Sequence, residues 1–252
     1  ADFITHLRDE KGLRNSTIGK QLGFLKWFLK WSANNGYHQN MAYLSFKPKL
    51  KTSEKRIIYL TWDELMTVYN FPIPESKKYL DRVRDVFCFC CFTSLRYSDV
   101  YNLKRFDIKN GALHITTVKT ADSLTIDLNK YSQAILDKYD GVPFEDNKAL
   151  PVISNQKMND YIKELGQLCG LDQPETVTYY VGNERVDEVY PKYELMGTHT
   201  GRRTFISNAI MMGIPPQVVM KWTGHSDYKA MKPYIAIADS AKAEAMKLFN
   251  EK

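Results

Sequence analysis

The sequence predicts a mainly α-helical fold that carries a small antiparallel β-sheet, an α+β arrangement. Three observations lead there. Apolar residues recur at helical spacing through most of the 252 residues. Between about residues 106 and 129 the period drops to two, around an Asn110-Gly111 pair of the kind that closes a β-hairpin. Proline and glycine then break the C-terminal third into short helical pieces rather than a continuous span.

The elements follow in order. Residues 15–36 read as an amphipathic helix, with Asn15 or Ser16 as its cap. Ile18, Leu22, Leu25 and Leu29 share one face, and Asn34 to Gly36 form its stop. Lys20, Lys26 and Lys30 lie on other faces, near Trp27 and Trp31. Residues 45–60 lack helical pattern, and Pro48 sits among lysines, so this stretch is expected to be an extended linker. Thr61, with Glu64 three residues on, has the spacing of a capping box and opens the next helix. Residues 76–103 are expected to form a long buried helix, a break near Thr93 to Leu95, and a short second helix. Three short strands follow, turning at Asn110-Gly111 and at Thr120 to Asp122, and helices return at 130–140 and 155–168. Residues 172–197, with β-type alternation around Gly182-Asn183, are expected to form a hairpin. From residue 199 the chain reads as helical to its end, with breaks at Gly213 to Pro216, near Gly224 and around Pro233 to Tyr234.

Composition is that of a globular chain, with 44% hydrophobic and 25% charged residues. No apolar run approaches the roughly 18 residues of a membrane span, and no signal peptide is visible. The chain starts ADFITHL without a methionine and is expected to be part of a longer protein. Net charge is +6, unevenly spread. Residues 1–56 hold eleven Lys/Arg against four Asp/Glu, a balance of +7, and the remainder is −1. The excess gathers at Lys47, Lys49, Lys51, Lys55 and Arg56, which suggests a polyanionic partner or, equally, a solvated linker. Cys88, Cys90 and Cys91 fall inside one apolar run without the second ligand pair that a zinc site needs, and are expected to be reduced core residues of a cytosolic protein.

The stretch THTGRRTF (198–205) carries the first chemical signal. His199 and Arg202 are three apart, on one helical face, and the free N–H groups of a helix beginning there favour an anion. Upstream, TSLRYSDVYNLK puts Arg96 at the helix break with Asp99 three residues on, and VKT puts Lys119 at the tip of a strand pair. Downstream, WTGHSDYKAMKPY offers His225 after a glycine and Tyr234 nine residues later. Taken singly, each has a plain structural reading. Arg96 pairs with Asp99, Lys119 is a turn lysine, His225 caps a helix, Tyr234 packs half-buried, and Arg203 fits a surface or ion-pair role.

Taken together and in order, these motifs resemble the catalytic domain of the tyrosine recombinases, the phage and mobile-element integrases, over about residues 57–252. The resemblance implies a tyrosine recombinase catalytic fold in residues 58–252. Before it would come a basic linker at 46–57 and, in residues 1–45, part of a helical, SAM-like core-binding domain. It implies six catalytic residues, Arg96, Lys119, His199, Arg202, His225 and the nucleophile Tyr234, with Asp99 in support. It implies DNA contacts from Lys20, Lys26, Lys30, Lys47, Lys49, Lys51, Lys55 and Arg56. Arg203 stands where the family often has histidine. The chemistry suits the residue types: two guanidinium forks can hold phosphate oxygens, and a phenol of ordinary pKa about 10 needs a cationic pocket or a base to ionise.

No cofactor and no metal are expected, since no G-x-x-x-x-G-K loop and no metal-spaced histidine pair occur. The expected partners are double-stranded DNA and, on synapsed DNA, three further copies in a tetramer, with a monomer when free. The expected location is the cytoplasm. Residues 238–252 read as a helix that packs on its own domain or docks on a neighbouring protomer. The rival functions are a type IB topoisomerase and a catalytically silent DNA-binding regulator.

Overall fold

A computed structural model describes residues 2–54, 56–119 and 121–236. The helix expected at 238–252, and Lys55, lie outside the described residues. The chain divides into two compact units: Ala1–Arg56 with Pro174–Tyr190, and Ile57–Gln173 with Pro191–Lys252.

The first unit holds a short helix α1 (Asp2–Thr5), a π-turn at His6–Glu10, the long α2 (Asn15–Asn34) and a single turn α3 (Ala42–Ser45). Residues 46–54 form neither helix nor strand. The unit's own core is small: Leu7, Ile18 and Leu22, with Ile4, Leu13 and Leu50 against them. That core covers only the first half of the α2 apolar face. Leu25 is therefore exposed and Leu29 half-buried, where the sequence pattern had both facing a core, and Phe24, Trp27, Phe28 and Trp31 are exposed beside them.

The hairpin belongs to this unit. Strands β4 (Pro174–Val181) and β5 (Glu184–Pro191) pair across the Gly182-Asn183 turn. Asn15 is the clasp. It is buried, its amide donates to the carbonyls of Gly182 (2.8 Å) and Lys51 (2.9 Å), and it accepts the Gly182 N–H at 2.9 Å. Asn15 therefore does not cap α2: Arg14 holds the N-cap position without a side-chain bond. Arg14 stacks its guanidinium 3.5 Å from the Tyr179 ring centre and pairs with Glu188, while Arg56 pairs with Glu175 at 2.7 Å.

The second unit contains α4 (Trp62–Asn70), α5 (Tyr79–Thr93), α6 (Tyr97–Asn102), a three-stranded sheet, α7 (Lys130–Lys138), α8 (Asn155–Leu168), α9 (Thr198–Met211) and α10 (Pro216–Thr223). Thr61 and Glu64 form the capping box of α4, and Asn129 caps α7. The sheet is β1 (Ile108–Lys109), β2 (Ala112–Thr116) and β3 (Ser123–Asp127), in that order and antiparallel. Asn110 and Gly111 both take positive φ, as a tight hairpin turn requires. The core is built on α5, whose Val83, Val86, Phe87, Cys88, Phe89, Cys90 and Cys91 are buried with Leu113, Ile126, Ile162 and Leu165. The four cysteines are unbridged, and burial pushes the Cys90 thiol up to about 12.

Two glycines set the site's frame. Gly201 lets α9 lie on α5, because a Cβ there would come within 2.9 Å of Cys90. Gly224 ends α10 in the left-handed region (φ +64°), against Leu124 of β3. The break expected around Pro233 does not occur. Residues 232–236 are helical, since proline is tolerated in the first turn of a helix, where its missing N–H costs nothing.

Replacing Asn15 with leucine strands the part-buried Gly182 N–H and removes the donor to two carbonyls. The expected local loss is about 1–3 kcal/mol, read as faster hydrogen exchange at the Gly182 amide. Unchanged exchange there would show that Asn15 does not hold the hairpin.

Candidate functional site

The helix break at the end of α5 is where the site begins. Ser94 takes a left-handed conformation (φ +66°) as the C-cap of α5, which turns the chain and leaves its carbonyl outside the helix ladder. Leu95 is buried, and Arg96 sits in extended conformation at the N-cap of α6. The Arg96 side chain is largely covered, and its Nη1 is buried without a hydrogen-bond partner. The nearest carboxylate oxygen, Oδ2 of Asp99, is 3.9 Å away. A buried cationic donor left unfilled is a place prepared for an anion.

Asp99 is itself buried, and its Oδ1 accepts the backbone N–H of Val118 at 3.0 Å. One carboxylate thus stands beside Arg96 and holds the β2–β3 turn, which presents Lys119 to solvent in the next residue.

Helix α9 supplies the other wall. Asn159 caps it by accepting the Thr198 N–H at 2.9 Å. His199 lies in its first turn, exposed at the rim yet crowded by protein atoms on its inner side. Arg202, one turn on, is only 3% exposed. Its Nη1 donates to the Ser94 carbonyl at 3.1 Å, and its Nη2 donates to the Thr223 carbonyl and faces Nε2 of His225 at 3.4 Å. His225 follows the left-handed Gly224 and is half-buried. Tyr234 is half-buried against a separate small core of Ile206, Ala209, Ile210, Val219 and Met231.

The electrostatics join these groups. Crowding by protein atoms, then the charges of Arg203, Arg202, Arg96 and Lys119, push the His199 imidazole from 6.5 down to about 4. Burial, then Arg202, Arg96 and His199, does the same to His225. Burial and Arg96 lower Arg202 to about 10, against the opposing pull of Tyr234 and Asp99. Burial raises the Tyr234 phenol, and Arg203 and Arg202 pull it back down. Electrostatic influence thus links Arg96, Lys119, His199, Arg202, His225 and Tyr234, with Asp99, into one largely cationic cluster.

The basic residues of the first unit are placed differently. Lys20, Lys30, Lys47, Lys49 and Lys51 are exposed. The Lys26 ammonium is bonded to the Phe46 carbonyl, and Arg56 is paired with Glu175. One residue of the site was read differently from sequence, and two escaped that reading. Arg203 is the leading cation acting on both His199 and Tyr234, and among the described residues it has no ion pair; its four-residue spacing from His199 was the available signal. Ser94 and Thr223 act through carbonyls, for which residue type gives no sign. Among the described residues, no group of three or more His, Cys, Asp and Glu side chains is placed to hold a metal, and no helix is long and apolar enough to cross a membrane.

Residues 58–241 match the model of the phage integrase family. The chain therefore belongs to that family. A search of the curated proteins finds no sequence match. Among solved structures, the chain is similar to a lambda integrase dimer bound to a COC′ core site, at 16% identity and a TM-score of 0.67, covering 92% of this chain and 77% of that one. It is similar to the Tn1549 transposon integrase in complex with circular intermediate DNA (16%, TM-score 0.61, 97% and 82%). It is also similar to the XerH site-specific recombinase in a post-cleavage complex with palindromic difH substrate (16%, TM-score 0.57). That match covers 78% of this chain and 54% of the XerH chain. The shared fold is that of the tyrosine recombinases, mostly helical with small antiparallel sheets.

Both histidines have native pKa values below their unfolded ones. Their contribution to stability is thus present above about pH 6.5 and is lost as pH falls toward about 4. Melting temperature is expected to drop between pH 7 and 5, and less steeply in a His199→Gln/His225→Gln variant. Equal slopes would refute the assignment.

Proposed function

We propose that this chain is a site-specific DNA recombinase that cuts and rejoins strands through a 3′-phosphotyrosyl intermediate. The observation that supports this most directly is the unfilled, buried Nη1 of Arg96, in the same cationic cluster as Arg202, within electrostatic reach of the Tyr234 phenol. In this reading a phosphodiester meets that cluster, and Arg96 and Arg202 hold its non-bridging oxygens. The phenolic oxygen of Tyr234 attacks phosphorus, forming the Tyr–O–P bond as the bond from phosphorus to the 5′-oxygen breaks. Arg203 and Arg202 favour the phenolate, and neutral His199 is the base that accepts its proton. Lys119 returns a proton to the departing 5′-oxygen, and His225 donates to the phosphate. A second 5′-hydroxyl reverses the step on a new strand. Energy is conserved in the phosphotyrosyl bond, so no nucleotide fuel is needed. Asp99 holds the Lys119 turn in reach.

The substrate is double-stranded DNA, met as a monomer and recombined in a tetramer. One of the similar structures is a lambda integrase tetramer bound to a Holliday junction. Residues 1–45 act as part of a core-binding domain, 46–57 as the basic linker and 58–252 as the catalytic domain. The hairpin at 174–190 is lodged with the first unit. Lys20, Lys30, Lys47, Lys49 and Lys51 are exposed and available to the DNA backbone, as Lys55 and Arg56 of the linker would be. Lys26 would join them on exchanging the Phe46 carbonyl for phosphate. The site of action is the cytoplasm, where such DNA resides.

The test uses nicked suicide duplexes carrying candidate sites, scored for an SDS-resistant protein–DNA adduct. Tyr234→Phe should abolish the adduct and leave salt-dependent binding intact. Arg202→Lys should lower its rate about 10²–10³-fold, the loss typical of one oxyanion donor. Plasmid relaxation without synapsis would replace the recombinase by a topoisomerase, and binding without adduct would replace it by a regulator.

Removing the Arg203 charge lets the Tyr234 pKa rise further. With Arg203→Gln, the rising limb of the adduct pH–rate profile is expected to move to higher pH, with a lower rate at pH 7. A profile that does not move would remove Arg203 from the nucleophile's environment.

A further inference from the structure

Thr223 is fully buried at the last position of α10. Its hydroxyl donates to the Val219 carbonyl one turn back at 2.9 Å, with the Met220 carbonyl at 3.3 Å. A hydroxyl has one proton. With that proton committed to helix carbonyls, the oxygen has only lone pairs to offer Nδ1 of His225, 2.8 Å away. That contact is therefore an N–H donated by the ring. The opposite assignment would leave two oxygens 2.9 Å apart with no proton between them. In the neutral ring, Nε2 then carries the lone pair, and it faces Nη2 of Arg202, a group that can only donate. The Thr223 carbonyl accepts from the same Nη2. One residue holds the buried guanidinium through its backbone and the imidazole through its side chain.

We propose that Thr223 is a positioning residue of the strand-transfer site: its hydroxyl anchors the Nδ1–H of His225, so that Nε2 is the nitrogen presented to the DNA phosphate and the one that gains a proton when the phosphate arrives. This rests on the recombinase reading of the site. Burial, with Arg202, Arg96 and His199, holds the His225 pKa down at about 4 and keeps the ring neutral near pH 7. An incoming phosphodiester sets a negative charge against those cations and favours the imidazolium. Because Nδ1 already bears its hydrogen, only Nε2 has a lone pair for the added one, and it then donates to a non-bridging oxygen. A ring released from Thr223 is free to flip or change tautomer and to turn a carbon or a lone pair toward that oxygen.

Thr223→Val keeps the shape and removes the hydroxyl, and Thr223→Ser restores it. In ¹⁵N-resolved imidazole spectra of the wild-type and Thr223→Ser proteins, hydrogen is expected on Nδ1 and not on Nε2 of His225, with that selectivity lost in Thr223→Val. Adduct formation on the suicide duplex should fall about 10–100-fold in Thr223→Val, as when a histidine in a metal site loses its orienting partner. It should recover in Thr223→Ser, with duplex affinity unchanged in both. A Thr223→Val protein with the wild-type tautomer or the wild-type adduct rate overturns the proposal. A wild-type spectrum with hydrogen on Nε2 overturns it without any variant. Failure of the recombinase reading has a separate signature: no adduct from the wild-type protein while the Nδ1–H tautomer is intact.

Discussion

The site depends on a guanidinium buried without a carboxylate against it. Arg202 is held by the carbonyls of Ser94 and Thr223, by the Ser94 hydroxyl and by His225. A buried charge paired only with dipoles is costly, and helix carbonyls are normally spent inside their own ladder. The fold supplies free ones by ending two helices at the right places. Ser94 ends α5 and Gly224 ends α10, both in the left-handed region, so that carbonyls at both C-termini face Arg202. Two partial negative helix ends around one cation are favourable. They do not neutralise it, and burial still brings Arg202 down to about 10. Arg96, with its Nη1 unfilled, raises the local positive charge further. The site is thus an arrangement of like charges, and an anion set among them would relieve their repulsion.

Much of this was legible in residue order. Helices α4 to α10 and the three-stranded sheet follow from periodicity, caps and the Asn110-Gly111 turn, because those signals are local. The Arg96, His199–Arg202, His225 and Tyr234 motifs were read from residue type and spacing, and the structure brings their side chains within electrostatic reach of one another. What was hidden depends on distant contacts. Asn15 has the composition of a cap, but the chance to bond both backbone groups of Gly182 and the Lys51 carbonyl outweighs one capping bond. The hairpin's alternation marked it as β without saying that its neighbours would be residues far earlier in the chain. Leu25 and Leu29 match a buried stripe, yet the small core of the first unit runs out before reaching them. Pro233 reads as a breaker, and only its position in a first turn makes it harmless.

The arrangement of α9 explains why one motif can serve several ends. Successive positions of this helix face different partners. Gly201 rests on Cys90 of α5, Arg202 reaches between two helix ends, Thr204 accepts the Leu60 N–H, and Ile206 and Ile210 turn to the cluster that supports Tyr234. Tyr234 is thus packed on a small satellite core, while Arg202 is tied to the end of α5, the helix on which the large core is built. A helix shared between a large and a small core can hold the Arg202 charge within tight limits through the larger and leave Tyr234 on the smaller, less extensively packed one. Were Tyr234 fixed in the main core, burial would raise its phenol further with no cation close enough to lower it. Where it lies, Arg202 and Arg203, adjacent on the same helix, both act on it.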